Sequence, residues 1–340
     1  GMTSLGLGGI DYGTGGGADE SGQTLTFEVT TIPDTNFFGK IYLADGTTQV
    51  TTGVYSLEQM RGMQFEPVAN ESGSLSFFSY RVVDSGGGAD TLTESIQLTV
   101  TAVNDAPTIS NLTSDGLAYT EGDGAVVIEQ GGDALVADID SANFDTGTLT
   151  VSFQAGSDSA EDELAIRNQG TGSGQISITG SDVEYEGVKI GIFSGGSNGT
   201  PLTIVFESGA TPTAVTSLVQ NITYTNTDTD APTTGARTVQ FVLTDGDGGT
   251  SADHDTTVTV AGVNDAPAAN AGSNQTVTEG DSVGLDAGGS TDPEGQGLTY
   301  TWTQISGTSV TLTGGTSATP TFTAPEGLVN SDLQFEVSVS

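Results

Sequence analysis

The sequence predicts an all-β protein, built as tandem greek-key β-sandwiches in an elongated array. Three observations predict this. The phrase Leu98-Thr99-Val100-Thr101-Ala102-Val103-Asn104-Asp105-Ala106-Pro107 returns as Val258-Thr259-Val260-Ala261-Gly262-Val263-Asn264-Asp265-Ala266-Pro267, and repetition on this scale marks tandem modules. Between the copies, apolar residues alternate with polar ones at a period of two, the pattern of half-buried strands. Fifty glycines in 340 residues, about 15% against a usual ~7%, divide these runs with turns.

The elements follow in order. Residues 1–104 form a first module with alternating strands at 25–29, 77–83 and 92–100. It closes on Val-Asn-Asp-Ala-Pro, where proline lacks an N–H and holds its predecessor extended, so the sheet ladder ends there. Residues 105–264 form a second module, with strands at 149–153, 175–178, 202–206, 239–243 and 256–260. Within it, Val215, Leu218, Val219 and Ile222 follow Thr211 and Pro212. That spacing predicts a short helix over 212–221, capped by Thr211 with Pro212 in its first turn. Residues 265–340 form a third module with strands at 298–302 and 335–339. Short strands separated by turns read as β-sandwiches. The second module, at about 160 residues, exceeds the ~100 of an ordinary sandwich.

Composition removes several functions. Forty-four acidic residues against six basic ones leave a formal charge of −38, which excludes nucleic acid and an anionic membrane surface as partners. No cysteine is present, so there is no disulfide framework and no thiolate site. A single histidine removes multi-histidine metal centres. No apolar run reaches the ~18–20 residues of a membrane helix, so no insertion into a membrane is expected. The N-terminus does not read as a signal peptide, and Gly1 ahead of Met2 is expected of an excised fragment.

The acids cluster at strand ends. Asp138 and Asp140 follow the strand ending at Ala137, and Asp245 and Asp247 follow 239–243. Glu121 and Asp123 precede the second strand of module two, and Asp292 and Glu294 occupy a turn of module three. Module one carries Asp19-Glu20 before a strand and Asp84 after one. In a greek-key sandwich with termini at opposite ends, Asp138, Asp140, Asp245 and Asp247 crowd the end where the chain enters module two, beside Asn104 and Asp105. Glu121 and Asp123 then lie at its exit, facing Asn264, Asp265, Asp292 and Glu294. Converging carboxylates repel unless a cation sits between them. Calcium, with six to eight oxygen ligands in flexible geometry, fits such a set. Two plainer readings compete. Any one Asp-Gly is more often just a turn, and a uniformly acidic surface serves solubility. Neither explains why the clusters recur at the same offsets from Asn-Asp-Ala-Pro.

Other chemistry finds little footing. Asp245-Gly246-Asp247-Gly248 lacks the later ligands of an EF-hand loop. The glycine-rich stretch from Gly86 to Leu92 is out of register for a calcium nonapeptide and is not repeated. His254, between Asp253 and Asp255, has no Gly-x-Ser-x-Gly elbow to serve. Trp302 is the sole tryptophan and reads as core, so no sugar platform is evident. The chain is not expected to be an enzyme.

The Val-Asn-Asp-Ala-Pro junctions, Asp138-Ile139-Asp140 and Glu121 resemble bacterial cadherin-like tandem repeats, whose linker reads Asp-x-Asn-Asp-x-Ala-Pro. Here the first Asp is Ala102 or Gly262 and the spacer before Ala is missing, which lowers the expectation to one or two calcium ions per junction. The resemblance assigns ligand roles to Glu121, the Asp138/Asp140 pair and Asp245. Module one resembles such a repeat without its first strand. Val283-Gly284-Leu285-Asp286, Ser290-Thr291-Asp292-Pro293-Glu294-Gly295 and Leu298-Thr299-Tyr300-Thr301-Trp302 resemble a polycystic-kidney-disease (PKD) or immunoglobulin-like repeat that stops before its final strand. The resemblance implies a calcium-rigidified stalk of a large bacterial surface or secreted protein involved in cell adhesion, often exported by type I secretion. Implied partners are neighbouring repeats and a cell-surface protein or glycan. Two alternatives remain open: a glycan- or peptide-binding module, and accessory domains of a secreted hydrolase.

Overall fold

A computed structural model describes residues 1–13, 22–71, 75–86, 91–327 and 332–340. Asp19, Glu20 and residues 87–90 of the glycine-rich stretch lie outside the described residues. The fold is all-β; among the described elements only Leu57–Arg61 and Pro212–Val219 are α-helical. The chain forms two compact units, Gly1–Asp105 and Ala106–Ser340.

In the first unit the antiparallel order is Gly53–Tyr55, Leu25–Thr31, Leu75–Asp84, Thr91–Thr99. A second sheet joins Thr3–Ser4, Gln64–Pro67 and Gly39–Tyr42. Period-two alternation turns Phe27 and Val29 inward onto Phe78 and Tyr80. The same alternation sends Glu28 outward to an ion pair with Arg81 on the neighbouring strand. The helix Leu57–Arg61 opens on a capping box between Ser56 and Gln59 and buries Met60.

The second unit is built on an eight-stranded sheet. Its order is Ile176–Thr179, Asp182–Tyr185, Val188–Ser194, Leu202–Phe206, Thr148–Ala155, Gly235–Leu243, His254–Ala261 and Gly116–Thr120. The last pair is parallel; every other neighbour is antiparallel. The extra length of this region goes into the sheet itself. Asp182–Tyr185 and Val188–Ser194 meet through Glu186 and Gly187, both at positive φ (54° and 77°), as a tight hairpin turn of the primed type requires. Ile176, Val183 and Ile190 on these strands are fully buried.

The second helix spans Pro212–Val219, with Thr211 Oγ1 accepting the Ala214 N–H at 3.3 Å. Its apolar spacing misleads at one point, because Ile222 belongs to the strand Ile222–Asn226. Asn221 closes the helix by donating through its backbone to Leu218 and through Nδ2 to Ser217 O at 2.7 Å. Ile222 then pairs with Ile166. The helix buries Ala214, Val215, Leu218 and Val219. It also covers the short strand Leu135–Ala137, where Val136 N–H donates to Thr216 Oγ1 at 2.9 Å.

Beyond residue 265 the chain forms two separate pairs, Ser282–Gly284 with Thr321–Thr323 and Tyr300–Ser306 with Gln334–Val339. Their small cores centre on Phe322 and Trp302, apart from the large core between Ile109 and Val260. No helix among the described residues is long and apolar enough to cross a membrane.

Candidate cation site at the Asn264 linker

The parallel pairing of Gly116–Thr120 on His254–Ala261 decides where Glu121 lies. Thr120 stands opposite Ala261, and Glu121 N–H extends the ladder to Ala261 O at 2.9 Å. The Glu121 side chain thus reaches the linker, and its Oε2 accepts the Val263 N–H at 2.7 Å. From the other side, Ala268 and Thr291 exchange two backbone hydrogen bonds of 2.8 and 3.1 Å. This brings the turn 292–296 beside the same linker. Glu294 Oε1 accepts the Asp265 N–H at 2.9 Å.

Each glutamate therefore spends one oxygen on a linker amide. The other oxygens, Glu121 Oε1 and Glu294 Oε2, are buried and have no hydrogen-bond partner among the described residues. Both residues line one cavity of about 410 Å³, together with Asn264, Gln296, Gly262, Val263 and the loop residues Ala231, Pro232 and Thr234. Buried carboxylate oxygens without donors are costly, and here two residues that line one cavity each carry such an oxygen. An oxygen-seeking cation relieves both penalties, so the residues present fit calcium.

The remaining expected ligands are placed differently. Asp292 Oδ1 caps its own turn through the Gln296 N–H at 2.9 Å. Asp265 contributes its backbone N–H and, through its carbonyl, accepts from Asn264 Nδ2 at 3.1 Å. Asp123 Oδ2 accepts the Thr120 N–H at 2.8 Å. Asn104 Nδ2 donates to Asp105 O at 3.2 Å, repeating the Asn264–Asp265 geometry.

At the opposite end of the large sheet, Asp245 is fully buried, and its oxygens accept N–H groups of Asp247, Gly248 and Gly249 at 2.8 to 3.1 Å. It shapes its own hairpin turn. Asp247 is exposed in that turn. Asp138 Oδ1 accepts the Asp140 and Ser141 N–H groups at 3.1 and 3.0 Å, while Oδ2 is buried without a hydrogen-bond partner. Burial pushes the Asp138 carboxyl above the usual carboxylate range, and neighbouring Asp140 adds to the rise.

Among the described residues, one set of three carboxylates lies within 4.8 Å of one another: Asp115, Glu129 and Asp133. Sequence reasoning missed it, since Gly131-Gly132-Asp133 reads as an ordinary turn. Glu129, only 3% exposed, accepts backbone N–H groups of Gly132, Asp133 and Ala134 at 2.7 to 3.2 Å. Burial raises the Asp115 carboxyl, and the nearby Glu129 and Asp133 charges add to it. Unlike Glu121 and Glu294, Glu129 has both oxygens satisfied by the chain. Gln296 was also missed, since no charge marks it.

Residues 271–340 match a PKD-domain family. Protocadherin gamma B2 extracellular cadherin domains 1–5 align with 93% of this chain and 52% of theirs, at 12% identity and a TM-score of 0.36. Drosophila N-cadherin EC1–4 aligns over 98% of this chain and 67% of its own, at 12% identity and a TM-score of 0.29. An endo-fucoidan hydrolase from glycoside hydrolase family 107 aligns over 94% and 37%, at 18% identity and a TM-score of 0.22. The chain spans about half the length of that protocadherin structure and about a third of the hydrolase. No curated protein matches the sequence.

Proposed function

We propose that this chain is a calcium-binding stalk segment of a large extracellular protein of the bacterial cell surface, serving cell adhesion mechanically rather than catalytically. In this reading it is divided into modules at 1–104, 105–264 and 265–340. The observation that carries the reading is that Glu121 and Glu294, which line one cavity, each keep a buried oxygen without a hydrogen-bond partner among the described residues. Calcium held there would tie the end of Gly116–Thr120, the linker and the turn 292–296 into one body. Asn264 supplies an amide oxygen, and water completes the six to eight ligands the ion takes. Asn104 and Asp105 repeat the linker chemistry one module earlier. Asp138 and Asp140 are proposed as calcium ligands within their own loop, and Asp245 holds its own turn.

Extracellular calcium modules bind at about 10⁻⁴–10⁻³ M. At a hundredfold excess over Kd, one site adds about 2.7 kcal/mol to folding stability. Titration calorimetry of the full chain with calcium chloride tests this. Wild type is expected to take up calcium, and Glu294→Gln is expected to lose the tightest event. Equal uptake by both proteins would move the site elsewhere. The modules' export by type I secretion and their contact with neighbouring repeats and a surface protein or glycan belong to the same proposal.

A further inference from the structure

The linker cavity holds a neutral side chain with no assigned task. Gln296 lines it beside Glu294, and its Nε2 donates a short hydrogen bond to Asn264 Oδ1. That oxygen is the one Asn264 would offer to a cation. A donor N–H therefore occupies the oxygen, acting as a weak positive stand-in. The backbone of Gln296 is fixed, because its N–H is held by Asp292 Oδ1 at 2.9 Å and the turn closes through Gly295 N–H to Asp292 O at 3.1 Å. The side-chain amide is not fixed in the same way. Its terminal torsion is broad and nearly two-fold, and the residue is exposed. A half-turn of the amide replaces the donor with an acceptor at the same place.

Resting on the calcium reading above, we propose that Gln296 is a switching ligand of the linker site. In the ion-free chain its N–H holds Asn264; with calcium its amide turns, and Oε1 joins Asn264 Oδ1, Glu121 Oε1 and Glu294 Oε2 around the ion. This supplies four protein ligands, two of them charged. The remaining positions of a six- to eight-coordinate ion fall to water and backbone carbonyls. Two carboxylates with two amides form a lower-charge set than an all-acid site, which suits a millimolar environment. The proposal also explains why the turn places Glu294 and Gln296 two residues apart on one cavity, while Asp292 is spent on capping.

Calcium titration of the full-length chain, followed by calorimetry and by the side-chain amide resonances of Gln296, separates this role from its rivals. Gln296→Ala is expected to weaken binding about tenfold, and Gln296→Glu to tighten it about tenfold by adding a charged oxygen without a turn. In wild type the Gln296 amide resonances should shift in step with the heat. Gln296→Ala binding as tightly as wild type, or more tightly, would overturn the proposal and make the side chain a bystander or a block. Absence of any calcium heat in wild type would instead overturn the calcium reading and this one with it. Should Gln296→Ala melt differently from wild type in chelator, the Gln296→Glu affinity and the resonance shift decide alone.

Discussion

Two buried acidic groups in the same unit meet opposite fates. Asp162 and Arg237 are both fully inside, their side chains 0% exposed, with Arg237 Nε 3.1 Å from Asp162 Oδ2. Asp162 Oδ1 also accepts a short bond from Tyr224 Oη and one of 3.2 Å from Asn226 Nδ2. Arg237 Nη1 and Nη2 donate to the carbonyls of Gly235 and Thr233. At the linker, Glu121 and Glu294 have one oxygen each that no described residue serves. One of only six basic residues is spent on Asp162, where no ion can enter. None lines the linker cavity. The difference separates an acid that the fold completes from an acid that is left for a solute. Asp115, Glu129 and Asp133 stand between the two, crowded together yet with Glu129 fully served by backbone N–H groups.

The contrast is broken most forcefully at its structural pole. Asp162→Ala leaves Arg237 buried without its counter-ion, and should cost about 3–5 kcal/mol. Thermal melts should show the loss equally in calcium and in chelator. A calcium-dependent loss would mean that the pair belongs to the ion site.

At the other pole, calcium at a hundredfold excess over Kd should raise wild-type stability by about 2.7 kcal/mol, and Glu121→Gln combined with Glu294→Gln should remove most of that gain. In chelator the same double variant should be at least as stable as wild type, because it removes two charges that each keep one buried oxygen unserved. A variant less stable than wild type in chelator would show that these glutamates are structural, like Asp162.

A smaller effect measures the background. Thr211→Ala removes the cap of Pro212–Val219 and should cost about 1 kcal/mol by denaturant melts, with no calcium dependence.

The smallest effect concerns an acid in the first unit that its own turn satisfies. Asp45 accepts from the N–H groups of Thr47 and Thr48 and from the Thr48 hydroxyl, and the Thr48 hydroxyl bond leads in holding its carboxyl down to about 2. A folded value below the unfolded one gives stability that is complete above the ordinary carboxylate value of 3.8 and is lost as pH falls towards about 2. Asp45→Asn should flatten that part of the acid limb in a pH series of melts. An unchanged limb would assign it to other carboxylates.

Part of the site was legible because it is carried by residue type and local order. The repeated Asn-Asp-Ala-Pro drew attention to residues 104–107 and 264–267, and period-two alternation found longer strands such as Leu75–Asp84, Thr91–Thr99 and Gly235–Leu243. Glu121 and Glu294 stood out as acids beside turns. Asp245 stood out equally, yet the same signal there marks a carboxylate folded back on its own hairpin. The three-carboxylate group around Glu129 gave no signal, since Asp115 joins Glu129 and Asp133 from a different loop. Arg237 was visible in principle, as a charge at an inward position in step with Val239, Phe241 and Leu243, but its counter-ion lies on a strand that pairs elsewhere.

By itself the sequence determined the all-β fold class and the acidic excess, because alternation and charge act on neighbours along the chain. Only the tertiary structure decided which acids are completed and which are left open. The parallel pairing that carries Glu121 to Val263 and the backbone pair at Ala268 and Thr291 join residues far apart in sequence. Whether a carboxylate oxygen finds an N–H depends on such pairings, and no local pattern encodes them.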